Sequence, residues 1–508
     1  MKRIIFAFCC FLFSGYFYCQ DTRISWGPDL FKPRKSDIIQ IIGSDQNSFY
    51  CLRSLKLFFG TGTSLEKYSI SKLKLEYIKE FKLPNINNSE LNFEKIFFMK
   101  GVLLVFASAY DKARDQKVLY LEKIDAASGT VSTPFEEVDA IKAAKHRNES
   151  SFNFTPSCDS SKILISYTEF VEKAVNPKLH FKLLTGQGMV LWSSEVEFQN
   201  KEKFYSVLNC QLDEDGKVFL LASTVTRPSQ PDKEKPENAH SLLIYNYPEK
   251  RFKELDISLN DQFISAIDLL VVAKKTLVVA GLYANKNQYK HAGTFFMSID
   301  RRSGQIITRG QDNFPKEFLM GFTFDNDPEK ENELYNYRIT GMISKNDGGI
   351  YLLAEQYYVQ TETTYHSRMA VSSLNHYYFN DIVVVNISPN SSIRWAKKIR
   401  KLQHTINEEV NYSSYSYFGS EEKLHFMYND HPKNISSKTK RLRDGIGKNM
   451  TTVITSVDAN GNSESYSIFK PTELKMHVRP KTTITLASNQ FLFYSFRKKE
   501  SKFGIIHY

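Results

Sequence analysis

The sequence predicts an all-β chain folded as an eight-bladed β-propeller of four-stranded antiparallel blades, the last blade completed by the N-terminal strand. Three observations carry this expectation. A polar turn followed by a short apolar run recurs along the chain, the runs starting near Ser48, Val102, Ile163, Val218, Leu277, Ile350, Leu424 and Phe491. That spacing, about 55 to 75 residues, suits a four-stranded repeat unit. Similar turns follow in phase between the third and fourth strands, clearest at Asp125, Thr185, Asp300, Ser388 and Asp458. Asp, Asn, Ser and Gly recur there because they bond their own backbone or adopt positive φ in a hairpin. Finally, the chain stops at Tyr508 after KFGIIHY, one strand short, while RISWGPDL near Arg23 to Leu30 looks like the outer strands VLWSSEVEF and IRWAKKIRK. Pairing the two chain ends closes a ring and removes its exposed edges.

Taken in order, residues 1–20 read as a secretory signal peptide: Lys2 and Arg3, then the apolar run IIFAFCCFLFSGYFYC, with removal expected after Cys19 or Gln20. That run is shorter than the roughly 20 residues a spanning helix needs. Residues 21–508 are then a single propeller domain. Its blades are expected near 36–84, 90–133, 150–199, 204–259, 262–312, 336–402, 412–469 and 474–508, the last completed by 23–30. Within each blade the order is an alternating strand, a turn, the apolar run, a variable loop, a third strand, a tight turn and a fourth strand.

The chain is rich in Phe (38) and Tyr (28), as strands packed face to face require. Its formal charge of +11 is spread through every repeat with acids interleaved, which reads as a solvated, Lys-rich surface. Outside the signal only Cys51, Cys158 and Cys210 remain, too few for a disulfide framework. They are expected as buried small hydrophobes, with one Cys158–Cys210 bridge as the alternative.

Trp26, Trp192 and Trp395 are expected to share one position in the fourth strand and to wedge against the neighbouring blade. The segments TGQGMVLW and SPNSSIRW resemble the outer-strand motif of propellers related to the pyrroloquinoline quinone dehydrogenases. The overall pattern is similar to secreted bacterial repeat propellers of that type. This resemblance implies the fold and an interlocking of outer strands; it does not imply the quinone, since the mature chain has no adjacent-cysteine pair and no ligand set for it. No cofactor and no metal are expected.

Loops joining the second strand to the third, and one blade to the next, emerge on one face of a propeller. The long insertions fall in these classes: Arg227 to His240, Tyr357 to Tyr378 and Pro432 to Lys448 within blades, with Pro134 to Ser150 and Asn313 to Tyr337 between blades. One face is therefore decorated and the other plain, and binding residues concentrate on such loops. The Tyr357 to Tyr378 insertion carries Tyr357, Tyr358, Tyr365, His366, Arg368, His376, Tyr377 and Tyr378, aromatic faces with polar tips that suit sugar rings or a peptide. The other candidate is a basic patch of Lys433, Lys438, Lys440, Arg441 and Arg443 for an anionic partner. The acids Asp325, Asp327, Glu329, Glu331 and Glu333 lack the spacing and central Gly of a helix-loop-helix calcium site, and DEDG at Asp213 to Gly216 reads as a hairpin turn.

The chain has no GxSxG elbow, HExxH helix, phosphate-binding GxxxxGK[ST] loop or CxxC pair. Apolar aromatic runs such as FLFYSF are expected between blades, so they do not serve nucleic acid. The expectation is a secreted or periplasmic monomer that acts as a non-enzymatic binding or scaffold module. It recognises a protein or an extracellular glycan through the loop-rich face and has no transmembrane segment once the signal is removed. The alternative is a polysaccharide hydrolase or lyase working at the axial channel, with His477, Arg479 and Arg338 as nearby candidates.

Overall fold

A computed structural model describes residues 22–30, 36–57, 60–142, 151–169, 176–226, 239–259, 262–272, 276–285, 290–320, 334–367, 370–407, 411–435, 441–447, 449–469, 476–487, 489–497 and 500–508. The expected signal peptide lies outside these residues. Among them, strands dominate, and eight antiparallel sheets of four or more strands span 36–81, 92–142, 153–196, 203–257, 263–313, 337–399, 415–467 and 477–507. The sixth sheet gains a short fifth strand, His404–Ile406, and the eighth gains Arg23–Trp26. Strand order in each sheet follows the sequence, apart from these two additions.

The apolar runs form the second strands because those strands are covered on both faces. Val102–Asp111 is buried over seven successive residues, whereas the outer strand Leu75–Phe81 is mostly exposed. Alternation then divides each second strand between its two neighbours. In the first sheet Tyr50 and Leu52 pack with Leu103 and Val105 of the second, while Phe49 and Cys51 pack with Leu492, Tyr494 and Phe503 of the eighth. Equivalent clusters join every consecutive pair, from the second and third sheets through the seventh and eighth. The sequence of contacts closes on itself. Each fully buried large apolar side chain in such a cluster contributes about 1.5–3 kcal/mol.

Closure also uses the backbone. Arg23–Trp26 pairs antiparallel with Glu500–His507 in the register Arg23↔His507 to Trp26↔Gly504, and Gly27 N–H donates to the Phe503 carbonyl at 3.0 Å. Beside it Arg479, in the first strand of the eighth sheet, donates to the Ile38 carbonyl at 2.9 Å and pairs with Asp37 of the first sheet.

The recurrent turns have one construction. Asp125, Asp300 and Asp458 each accept backbone N–H groups through Oδ1, with a positive-φ glycine (Gly129, Gly304, Gly461) before the fourth strand. These glycines also lie against the preceding sheet: a Cβ on Gly461 would stand 2.9 Å from the Trp395 ring. DEDG is a hairpin turn whose acids hold Arg301 of the next sheet, Glu214 at 2.7 Å and Asp213 at 3.4 Å. Arg301 keeps the Glu214 carboxyl down at about 2.

Several expectations are corrected. Trp192 and Trp395 do occupy one position: a one-residue bulge follows each turn, and the rings reach the next sheet, Trp192 stacking on Tyr247 at 4.6 Å and Trp395 Nε1 donating to the Ala459 carbonyl at 2.7 Å. Trp26 does not share it. Among the described residues no turn or bulge precedes Trp26 in its regular pairing, and it stacks on Phe469, just past the last strand of the seventh sheet, on the opposite side. The outer strand of the second sheet runs from Thr130 to Lys142, well into the expected loop at Pro134. Its exposed position does not require apolar alternation, so EEVDAIK reads as a loop although it is paired. Cys158 and Cys210 form no bridge; both are free, as is Cys51, and Cys158 is exposed with Sγ 3.5 Å from Glu214 Oε2.

Candidate functional site

The Tyr357 to Tyr378 insertion is not a loop. Ile350–Ser367 and Ala370–Ile387 are 18-residue strands paired along nearly their whole length, so the second and third strands of the sixth sheet project as a hairpin beyond the sheet. The run VQTETTY alternates β-branched and polar residues, a pattern that favours strand over loop once a partner is opposite. The inner strand Tyr337–Ser344 pairs only as far as Gln356, and Tyr357 N–H donates to the Asn336 carbonyl. From Tyr358 to Ser367 that same edge of the hairpin has no strand partner among the described residues. On the opposite edge, His404–Ile406 pairs with His376 to Tyr378.

Strand alternation sorts the candidate residues onto two faces. On one, Tyr358 stacks on Tyr378 (4.6 Å), Tyr378 on His404 (4.7 Å) and His404 on His376 (5.1 Å, planes 4° apart). His376 Nδ1 lies 2.9 Å from His404 Nε2, and His376 Nε2 lies 3.4 Å from Glu362. On the other, Tyr357 packs on Phe379 at 5.0 Å, and the Arg338 guanidinium lies 3.8 Å above the Tyr357 ring. Tyr377 pairs with Val359 and Thr405, on the face opposite Tyr378. The sequence grouped these aromatics as one patch; the pleat divides them. Tyr365 and His366 belong to the hairpin strand by backbone, their side chains lying outside the described residues, as do Arg368, Lys438 and Lys440.

The basic insertion comes beside this hairpin. Asp444 accepts the His404 N–H at 3.3 Å and Gly445 N–H donates to the Leu402 carbonyl at 2.6 Å. Arg441 and Arg443 are exposed next to that contact. Asn434 fixes the turn by bonding the Arg443 backbone in both directions, at 2.7 and 2.9 Å.

Beneath the hairpin lies a buried polar network that the sequence reading did not single out. Glu355 and Lys401 are fully buried and paired at 3.0 Å. Lys401 also donates to the Phe379 carbonyl and Gln403 Oε1, and Ser414 Oγ donates to Glu355 Oε2 at 2.8 Å. Arg338 reaches the same carboxylate at 3.4 Å. Burial lowers the Lys401 ammonium, opposed by Glu355. Nearby Asp430, 2 % exposed, accepts from Asn434 Nδ2 and the His431 N–H, both at 2.7 Å; burial pushes its carboxyl up to about 7. The available signal was Glu355 itself, an acid inside the apolar run IYLLAEQ.

Of the channel candidates, Arg479 is committed to the Asp37 and Ile38 contacts, and Arg338 to Glu355 and Tyr357. Burial depresses the His477 imidazole to about 4. Asp325 to Glu333 lie outside the described residues. Among the described residues no cluster of three His, Cys, Asp or Glu is placed to hold a metal ion, and no helix is long and apolar enough to cross a membrane.

No family model and no curated protein matches the chain. Solved structures with a similar course include the WD40 domain of SCAP from fission yeast, at 12% identity over 96% of this chain and 95% of that one, with a TM-score of 0.37. The polysaccharide lyase Uly1 is 9% identical over 84% of this chain and 93% of its own, with a TM-score of 0.35. The β-propeller domain of the Trilobed protease from Pyrococcus furiosus is 10% identical over 73% and 95%, with a TM-score of 0.33. Two of the three are named as WD40 or β-propeller domains, one a lyase stands beside them, and similarity this distant transfers no activity to this chain.

Proposed function

We propose that this chain is an eight-bladed propeller that works outside the cytoplasm as a binding module, and that the sixth-sheet hairpin on its loop-rich face is the recognition element for a protein partner. The observation that carries this reading is the unpartnered edge from Tyr358 to Ser367. An edge strand offers N–H and C=O groups at every second residue, and an extended segment of a partner satisfies them by adding a strand. This edge lacks the usual protections: no Pro and no Lys occurs between Tyr358 and Ser367. The aromatic stack on one face and Arg441 with Arg443 beside it supply pockets and charge for the partner's alternate side chains.

A glycan ligand is the competing partner for the same face. The polysaccharide hydrolase or lyase reading has less to draw on, because Arg479 and Arg338 are occupied in contacts that tie strands together. A test replaces residues 360–375 by Asn-Gly and measures melting temperature and binding together. The parent is screened against an array of extended peptides and a panel of neutral and acidic oligosaccharides. Expected are an unchanged fold, peptide binding by the parent, its loss in the shortened hairpin, and protection of edge amides from hydrogen exchange on peptide addition. Binding to oligosaccharides alone, or peptide binding that survives the deletion, overturns the proposal.

A further inference from the structure

The geometry points to a second ligand site, at third-to-fourth turns rather than at the second-to-third connection that forms the hairpin: a cleft between the fourth and fifth sheets that takes a compact polyanion bearing phosphate or sulfate groups. The cleft encloses about 380 Å³, within the roughly 300–1,000 Å³ typical of small-ligand sites. Its walls come from the third-to-fourth turns of both sheets and from the start of a second strand. Lys217, Arg251, Lys253 and Arg302 line it, with Glu249 as the one acid. Four cations against one carboxylate leave the cleft strongly positive. Two other clefts are mixed: one has Asp139 and Glu195 beside Lys182 and Lys250, the other Asp29 and Glu66 beside Lys74.

Three of the cations are held in place. Lys217 Nζ donates to the Arg301 and Arg302 carbonyls at 3.1 and 3.3 Å, and Lys253 Nζ donates to the Ser303 carbonyl. These bonds use carbonyl dipoles rather than carboxylates, so both ammonium charges stay uncancelled. Each retains further N–H donors, since an ammonium has three. Arg251 is aimed by Glu249 at 2.9 Å, and both Arg251 and Arg302 are exposed at the mouth. Two guanidinium groups together with two ammonium groups anchored on carbonyls match a ligand that presents several anionic oxygens close together. The buried Ile244 gives the floor an apolar patch that supports a ring or short carbon frame carrying those groups.

The sequence concealed this site because the four cations come from three turns and each repeat has its own scatter of Lys and Arg. The fold brings the turns of adjacent sheets together, with Gly304 close-packed on Ile244 and Lys253.

The test uses the whole protein and isothermal titration with two probes, inorganic tripolyphosphate and a fully sulfated disaccharide, which separate a phosphorylated small molecule from a sulfated sugar. Arg251→Gln with Arg302→Gln removes the two mouth charges, and Lys100→Gln with Lys112→Gln removes two exposed charges elsewhere as a control. Expected is binding of at least one probe that weakens as salt is raised to about 0.15 M. The mouth variant loses about tenfold or more in affinity, and the control is unchanged. If the mouth variant melts at a lower temperature than the parent, Arg302→Gln alone replaces it, with a loss of about threefold expected. Failure of the parent to bind either probe, or equal losses in mouth and control variants, overturns the inference. The hairpin reading is untouched by either result, because the two sites share no residue.

Discussion

Asp430 concentrates the electrostatics of the hairpin base in one carboxyl. It sits at the end of a second strand, 2 % exposed, with an Asn434 amide and a backbone N–H as donors, near Lys401 and Asp444. Burial disfavours its anion, so its folded pKa, about 7, lies above the ordinary value of 3.8. Between those values the folded state binds a proton that the unfolded chain has released, and stability therefore falls as pH rises through this window. The contribution is complete below about pH 4 and lost above about pH 7. Asp430→Asn keeps the shape without the titration. Measured by urea unfolding, the parent is expected to lose about 2–4 kcal/mol relative to this variant between pH 5 and pH 8. Parallel curves for the two proteins would refute the assignment.

Among the elements, the turn between third and fourth strands does two things: it reverses the chain and it seats one sheet on the one before it. Gly461 shows both, with φ +82° and the Trp395 ring against its α-carbon. Gly101 has φ +84° and no atom within 4 Å of an added Cβ, so it isolates the backbone effect. A non-Gly residue in that conformation costs roughly 1–2 kcal/mol. Gly461→Val is expected to exceed Gly101→Val by about 1 kcal/mol or more in denaturant unfolding, because the Trp395 ring and its bond to Ala459 must move. Equal losses would mean that Trp395 does not interlock the sixth and seventh sheets. The hairpin of the sixth sheet is the element whose form the sequence hid: with Tyr and His spaced along it, TETTYHSRMAVSS resembles a polar loop, and only the strand opposite Thr361 to Tyr365 makes it a ladder.

For the whole molecule the decisive feature is that the eighth sheet borrows its outer strand from the other end of the chain. Arg23–Trp26 brings four ladder positions, the Gly27 and Leu30 backbone bonds, and Trp26 stacked on Phe469. Removing residues 22–30 leaves Glu500–His507 as an open edge beside the cluster of Phe49, Tyr68 and Phe503. The truncated protein is expected to melt about 5 °C or more below the parent and to aggregate more readily, since an exposed edge recruits other strands. A melting temperature within error of the parent would show that the ring does not depend on this closure.

The strands, their grouping in fours and the need for a closing strand near Arg23 were legible along the chain, because they depend on local rules. Burial on both faces demands apolar runs such as VLLVFAS, and a tight reversal demands Asp and Gly at fixed offsets, as at Asp458 and Gly461. What required the folded molecule was every relation between residues far apart in sequence. Trp26 shares the motif of Trp192 and Trp395 but faces the other neighbour, because a bulge sets the phase of a pleat and sequence similarity does not reveal it. Glu355 meets Lys401, and Lys217 meets Arg302, only where adjacent sheets or distant strands converge; a local pattern cannot encode the distance between side chains on different strands, and it is that distance that decides whether two charges form a core pair or line a site.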